Sequence, residues 1–185
     1  MIRQATKADV PALAVTLAEA FADDPVWNWL LPAAERKRRL FAVLLRYAVP
    51  KGHVYTVDSL EAVTIWSPPG GWKLPTSAMV RQALPMLYAA GSGLPRLLGR
   101  LGEIEKLHEL VPPEHWYLDF IGTSNKARGQ GLGSALLEDG LKHGLPVYLE
   151  SSNPRNLSFY QRHGFQVTGE PVMKAGPPQW TLWRD

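Results

Sequence analysis

Between an apolar stretch, His115–Thr123, and an apolar helical pattern, Gly133–His143, lies Arg128-Gly129-Gln130-Gly131-Leu132-Gly133-Ser134. A strand that passes through glycines into a helix leaves the N–H groups of the first helical turn facing a loop with few side chains. Glycine permits positive φ and close approach to the backbone. The helix dipole adds partial positive charge at this end, and Arg128 adds a full one. The segment reads as an anion cradle whose natural guest is a diphosphate. A Walker loop is ruled out because no Gly-Lys-Ser/Thr follows the glycines. A dinucleotide fingerprint comes nearer, with Gly129-x-Gly131-x-x-Ser134 and Glu150 where a ribose-binding acid belongs. Ser134 nevertheless replaces its third glycine, polar Ser124–Arg128 separates strand from loop, and the 35 residues after Glu150 leave no room for a doubly wound domain.

The remaining elements follow from periodicity and punctuation. Ile2–Ala5 predicts a strand, and Thr6-Lys7-Ala8-Asp9 has capping-box spacing ahead of a helix ending near Phe21. Asp23-Asp24-Pro25 breaks that helix. A turn around Trp27–Leu31 and a second helix between Pro32 and Pro50 follow. His53–Val57 and Ala62–Ser67 form a hairpin, and Ser67–Gly71 a loop. Residues 76–111 are helical with Gly and Pro interruptions; Leu94, Leu97, Leu98, Leu101, Ile104, Leu107, Leu110 and Val111 keep helical spacing and are expected in the core. After Pro112-Pro113 come the strand and helix flanking the glycine loop, a strand Val147–Ser151, a helix Asn156–His163, a strand Phe165–Thr168 and a last strand Gln179–Arg184. Alternating strands and helices imply a largely parallel local arrangement, while the early hairpin makes the sheet mixed.

Length and composition point to one domain spanning 1–185, with 45% hydrophobic and 20% charged residues as in ordinary globular proteins. The chain has no cysteine, which removes disulfides, thiolate metal sites and a cysteine nucleophile. That absence, with no apolar run of membrane length and a polar start at Met1–Gln4, gives the expectation of a cytoplasmic protein without a membrane partner. Net charge is +3, and the one basic run, Arg36-Lys37-Arg38-Arg39, reads as the solvated side of a helix. A nucleic-acid surface requires a longer basic stripe interleaved with aromatics, so no nucleic-acid partner is expected.

Arg128-x-x-Gly131-x-Gly133 resembles the Arg/Gln-x-x-Gly-x-Gly/Ala motif of the GNAT acetyltransferase superfamily. Asn153-Pro154-Arg155-Asn156-Leu157-Ser158-Phe159-Tyr160-Gln161-Arg162-His163-Gly164-Phe165 resembles the second half of the pattern, an Asn-containing turn before a helix ending in Phe-Tyr-x-x-x-Gly-Phe. Tyr148–Ser152, with Pro154-Arg155-Asn156, resembles the branch containing puromycin N-acetyltransferase. The close resemblance covers about residues 112–185.

The resemblance implies a mixed, mostly antiparallel α/β (α+β) sheet of six or seven twisted strands flanked by helices, splayed between the fourth and fifth. It implies an acceptor-side half (1–111) and an acetyl-CoA-binding half (112–185). The backbone of Arg128, Gly129, Gln130, Gly131, Leu132, Gly133 and Ser134, with the Ser134 hydroxyl, would hold the pyrophosphate. Main chain around Ile121, Gly122 and Thr123 would bind pantetheine, with Asn153 in the turn and Asn156 anchoring the arm. Tyr160 would sit beside the sulfur and protonate the departing thiolate, and free N–H groups in the splay would stabilise the oxyanion.

The residues themselves suit aminolysis of a thioester, which needs a neutral amine, close approach and a proton acceptor. No metal is required. Without cysteine, direct attack in a ternary complex is favoured over a covalent relay. Asp119, placed by alternation on the face of Tyr117 and Ile121, and Glu150 on the neighbouring strand are both candidate bases, and the choice between them stays open. The family often carries its carboxylate two residues earlier, where this chain has Tyr117. His108, His115, His143 and His163 show no metal-ligand or triad spacing and are assigned no chemistry. Trp27, Trp29, Trp66 and Trp72 are read as packing residues. The expected acceptor is a small-molecule amine and the expected assembly a monomer or homodimer; a protein amine, or acyl-CoA sensing without catalysis, are the alternatives.

Overall fold

The computed structural model describes residues 1–73 and 75–185. Its strands are β1 (Ile2–Gln4), β2 (Val54–Val57), β3 (Ala62–Ser67), β4 (Trp116–Thr123), β5 (Val147–Ser151), β6 (Gln166–Gly169) and β7 (Trp180–Arg184). They form one seven-stranded sheet in the order β1-β2-β3-β4-β5-β7-β6. The helices are α1 (Val10–Ala20), α2 (Pro25–Leu30), α3 (Ala34–Ala48), α4 (Thr76–Ala90), α5 (Leu94–His108), α6 (Leu132–Gly140) and α7 (Leu157–Arg162). This is the mixed α/β architecture expected, and its one parallel contact joins β4 to β5. The expectation of a largely parallel second half needs correcting. β5 and β6 run in the same direction, but β7 inserts between them and is antiparallel to both.

Two apolar clusters hold the layers together. Leu13 and Leu17 of α1 and Leu40 and Phe41 of α3 pack on Val54, Val63 and Ile65. Leu137 of α6 and Tyr160 of α7 pack on Trp66, Leu118, Leu149 and Leu182. Side chains alternate along a strand, so the neighbours Ile65 and Trp66 place these clusters on opposite faces of the sheet. An irregularity between β3 and β4 pairs Ile65 with Phe120 and Trp66 with Leu118, leaving Asp119 as the extra residue of a bulge. The bulge breaks the expected alternation. Phe120 joins the α1–α3 cluster, while Ile121, expected beside Tyr117, packs on the α6–α7 side.

One expectation based on helical faces is overturned and another holds only in part. Lys37, placed on a solvated face, is 2% exposed. Its ammonium donates to Asn28 Oδ1 and to the carbonyls of Phe21 and Ala22, both at 3.4 Å. It thus supplies donors to the carbonyls beyond α1 that have no helical partner. In α5 the expected leucine core is only partly realised: Leu97 is buried and Leu94, Ile104, Leu107 and Val111 are partly covered, but Leu98 is 50% and Leu101 38% exposed, and Leu110, just beyond the helix, is 80% exposed. Its buried residues are Leu97, Arg100 and His108. Arg100 donates to the carbonyls of Ala175 (2.9 Å) and Pro177 (3.1 Å), tying α5 to the loop before β7. A polar inner face evades a search for apolar periodicity. Lys37→Ala, which removes the donor to the Ala22 carbonyl and Asn28 Oδ1, is expected to cost about 1–3 kcal/mol and lower the thermal midpoint by about 5 °C, read by circular dichroism. An unchanged midpoint would return Lys37 to the solvated face.

Candidate active site

β4 and β5 pair only at Trp116–Val147 and Tyr117–Tyr148. Beyond that point they diverge, and β4 from Leu118 to Thr123 keeps only its β3 partner. The fifth strand therefore leaves main-chain groups of Ile121, Gly122 and Thr123 facing a gap, the splay that the family resemblance implies. At its wide end lies the glycine loop. Gly129 and Gly131 have φ of +76° and +80°, and a Cβ at either would meet no atom within 4 Å. Both therefore need the freedom of glycine and leave open space in front of the backbone. Gly131 caps α6, whose first-turn N–H groups at Leu132, Gly133 and Ser134 lack helical acceptors. The Arg128 guanidinium donates to the carbonyls of Glu19 (3.3 Å) and Ala20 (3.5 Å), so its charge is engaged at the end of α1. The cradle's positive character rests on backbone and dipole.

At the narrow end is a buried polar cluster. Tyr117 donates to Glu150 Oε2 at 2.7 Å. His108, reaching in from α5, has Nδ1 3.0 Å from the Ile104 carbonyl and 3.9 Å from Glu150 Oε1. Its ring stacks on Trp72 at 4.1 Å and meets Tyr117 and Tyr148 edge-on at 4.4 and 4.9 Å. Among the described residues four polar atoms in this cluster have no hydrogen-bond partner: Glu150 Oε1, Asp119 Oδ2, His108 Nε2 and the Tyr148 hydroxyl. Burial drives the protonation states. It raises Glu150 to about 7, against the hydrogen bond from Tyr117, and raises Asp119 to about 7, with the Glu150 charge adding to the effect. It lowers His108 to about 4, so the imidazole is neutral, donating from Nδ1 to Ile104 and offering Nε2 as an acceptor.

These shifts have a consequence for stability. A carboxyl whose folded pKa exceeds its unfolded value binds its proton more tightly when folded, and its contribution is lost as pH rises toward the folded pKa. For Glu150 that window runs from about pH 4.5 to about 7. Thermal midpoints of wild type and Glu150→Gln should therefore be closest near pH 5, with the variant gaining on wild type up to pH 8. Parallel curves would contradict the buried, proton-retaining carboxyl.

A second group lies at the end of β5. Asp24 accepts from the Trp27 N–H at 2.9 Å, capping α2, and from the Ser152 hydroxyl at 2.6 Å. Tyr160 is buried, and Asp24 is near enough that its charge adds to burial in holding the phenol pKa well above the usual value. Asn153 caps the turn before α7 by accepting from the Arg155 N–H at 3.1 Å, while Asn156 is exposed at the start of α7. The structure thus places Asp119 and Glu150 together at the narrow end, Tyr160 beside the turn that carries Asp24, and the glycines at the wide end. Sequence reading missed His108, Trp72 and Asp24. The Asp-Pro pair before an apolar turn was the available sign of a capping Asp24, whereas nothing local distinguishes His108 from its helical neighbours. Among the described residues no group of three His, Asp or Glu is arranged to hold a metal ion, and no helix is long and apolar enough to cross a membrane.

A family model described as an acetyltransferase (GNAT) domain matches residues 97–167, a segment running from within α5 through the splay and the glycine loop to α7 and β6. An uncharacterised N-acetyltransferase of Schizosaccharomyces pombe is 28% identical over 177 residues, covering 85% of this chain and 70% of that protein. A Corynebacterium glutamicum crystal structure described as histone acetyltransferase HPA2 and related acetyltransferase is 26% identical, with a TM-score of 0.67 over 100% of this chain and 94% of that one. The polyamine N-acetyltransferase of Drosophila melanogaster shares the fold at 17% identity, with a TM-score of 0.67 over 99% and 98% of the two chains.

Proposed function

We propose that this chain, an acetyltransferase of the GNAT type, moves the acetyl group of acetyl-CoA onto a primary amine of a small molecule by direct attack in a ternary complex. The observation that carries the reading is the set of unpartnered acceptors at the narrow end of the splay. Among the described residues Glu150 Oε1, Asp119 Oδ2 and His108 Nε2 are buried polar atoms without hydrogen-bond partners, a costly arrangement unless a ligand supplies N–H groups. A primary amine has the donors they lack. Trp72 and His108 roof the cluster, and this enclosure supports a small acceptor over a protein chain. Solved proteins of the same fold include one named for polyamines and another for arylalkylamines, which supports the same class.

Acetyl-CoA supplies an activated thioester. The residues present suit it: the αL glycines leave room for a diphosphate against unpaired N–H groups, and β4 main chain at Ile121 and Thr123 lies open for an amide-bearing arm. In this reading residues 112–185 hold the carrier and 1–111 shape the acceptor side of one domain. Glu150, raised to about 7, takes the amine's proton at neutral pH, with Asp119 as an equally raised neighbour that shares or relays it. The Tyr117 hydroxyl fixes the Glu150 carboxylate. Tyr160 keeps its proton until negative charge develops on sulfur. No serine of an activated constellation and no cysteine is available to hold the acetyl group, which leaves direct attack. The resemblance of Tyr148–Ser152 and Pro154–Asn156 to the puromycin N-acetyltransferase branch, and a cytoplasmic setting, belong to the same proposal.

The test is a panel of primary amines incubated with acetyl-CoA and followed by release of free thiol. The chain contains no cysteine, so a thiol reagent detects CoA alone. Amine-dependent thiol release supports the proposal; release that no amine on the panel accelerates counts against it.

A further inference from the structure

A surface cavity of about 360 Å³ lies where the end of α3 meets α4, lined by Arg46, Tyr47, Pro50, Lys51, Arg81 and Gln82. Three of these six residues are cations and none is an acid. Elsewhere on α3, Arg38 and Arg39 share Glu35 at 2.7 and 2.9 Å. Among the described residues Arg46, Lys51 and Arg81 make no ion pair and no side-chain hydrogen bond. Lys51 is held in place by the face of Tyr47, with Nζ 3.9 Å from the ring centroid. Three like charges around one concavity repel one another, and the arrangement is relieved by an anion that accepts from all three.

The position of the cavity indicates what brings the anion. Lys51 ends the helical turn two residues before β2 begins, and at the intervening His53 the chain meets the sheet, where the Trp66 N–H donates to the His53 carbonyl at 2.9 Å. Trp66 and Ser67 pair with Leu118 and Tyr117, so this corner of the sheet is the narrow end of the splay. β2 lies two strand spacings, about 10 Å, from β4. Lys51 is also near enough to Asp119 for its charge to draw that carboxyl down against the effect of burial. The glycine cradle, by contrast, follows Thr123 at the opposite end of β4. The cavity therefore sits beside the acceptor end and away from the place where a diphosphate fits.

We propose that the Arg46–Lys51–Arg81 cavity binds an anionic group, a carboxylate or phosphate, carried by the acceptor molecule at the end remote from the amine that is acetylated. The inference rests on the acetyl-transfer reading and narrows its substrate class to amino acids and amino-phosphates of matching length. Arg46 and Arg81 are exposed, so neutral variants keep the fold.

The experiment compares an ω-amino carboxylate with the alkylamine of equal length, using wild type, Arg46→Gln and Arg81→Gln, with acetyl-CoA saturating. In wild type the amino carboxylate is expected to have a KM at least tenfold below that of the alkylamine. Each variant raises the amino carboxylate's KM by about tenfold, leaving kcat and the alkylamine's KM unchanged. Added salt acts on wild type in the same direction. Equal KM values for the two amines, or equal losses in the variants, overturn the proposal. Inorganic phosphate that alters alkylamine turnover where no tail preference exists also overturns it, because the anion is then a separate effector. If neither amine is acetylated, acetyl transfer to amines of this class fails first. The cavity is then judged by calorimetric titration with inorganic phosphate: binding lost in both variants preserves it as an anion site, and absence of binding removes it.

Discussion

Gly131→Val is expected to abolish the rise in thermal midpoint that saturating acetyl-CoA gives the wild-type protein. A ligand present at about 100 times its Kd stabilises by about 2.7 kcal/mol, which for a chain of this size is a rise of about 5–10 °C. Gly131 combines two properties that a valine removes. Its φ of +80° is a conformation that a β-branched residue strongly resists, and the space before its Cα is open for a ligand. The strain lowers the variant's own midpoint by a few degrees, so the informative quantity is the response to acetyl-CoA within each variant. Arg128→Ala provides the contrast. Its guanidinium is engaged by the carbonyls of Glu19 and Ala20, so the variant should keep most of the response. A Gly131→Val protein that still rises by the full amount would show that the cradle does not hold the carrier.

Tyr160→Phe is expected to lower kcat by about 10²-fold with little change in the Kd for acetyl-CoA. The phenyl ring keeps the packing of α7 against Leu149, Phe165 and Leu182, so the loss is confined to one hydroxyl. General-acid roles are typically worth about 10²–10⁴-fold. Burial and the nearby Asp24 hold this phenol's pKa well above the ordinary tyrosine value, making it a reluctant acid. A thiolate is also a fair leaving group, and both considerations place the effect at the lower end. An interaction made only as the carbon–sulfur bond breaks appears in kcat and not in binding. Single-turnover rates with saturating acetyl-CoA, paired with calorimetric Kd values, separate the outcomes. An unchanged rate would make Tyr160 a packing residue, and lost binding would make it part of the carrier site.

The parts of this protein that were legible in its sequence are those fixed by local chemistry. Glycines at 129 and 131 announce left-handed backbone at a strand-to-helix turn, and α6 and α7 end before Gly144 and Gly164, both with positive φ. What stayed hidden depends on which surfaces meet. The spacing of α5 marked an apolar stripe, yet Leu98 and Leu101 of that stripe face outward because the helix rests on Glu150, Tyr117 and the loop at Ala175–Gln179, where Arg100 and His108 are the residues with suitable donors and acceptors. Lys37 was indistinguishable from its arginine neighbours until the end of α1 was placed beneath it. The bulge at Asp119 shifted Ile121 to the opposite face, and a one-residue slip of this kind leaves no mark in an alternating pattern.

The central claim is that the acetyl group passes straight from thioester to amine, with the carboxylates at the narrow end of the splay taking the proton. It is tested most directly by rapid-quench mass spectrometry of a single turnover, with enzyme in excess over acetyl-CoA and an amine that the panel identifies. Acetylated amine should appear at the rate at which acetyl-CoA disappears, with the protein never gaining an acetyl group. Preincubation with acetyl-CoA alone should leave both unchanged. An acetylated protein species that forms before the amine is added, and then decays as product appears, would contradict direct attack.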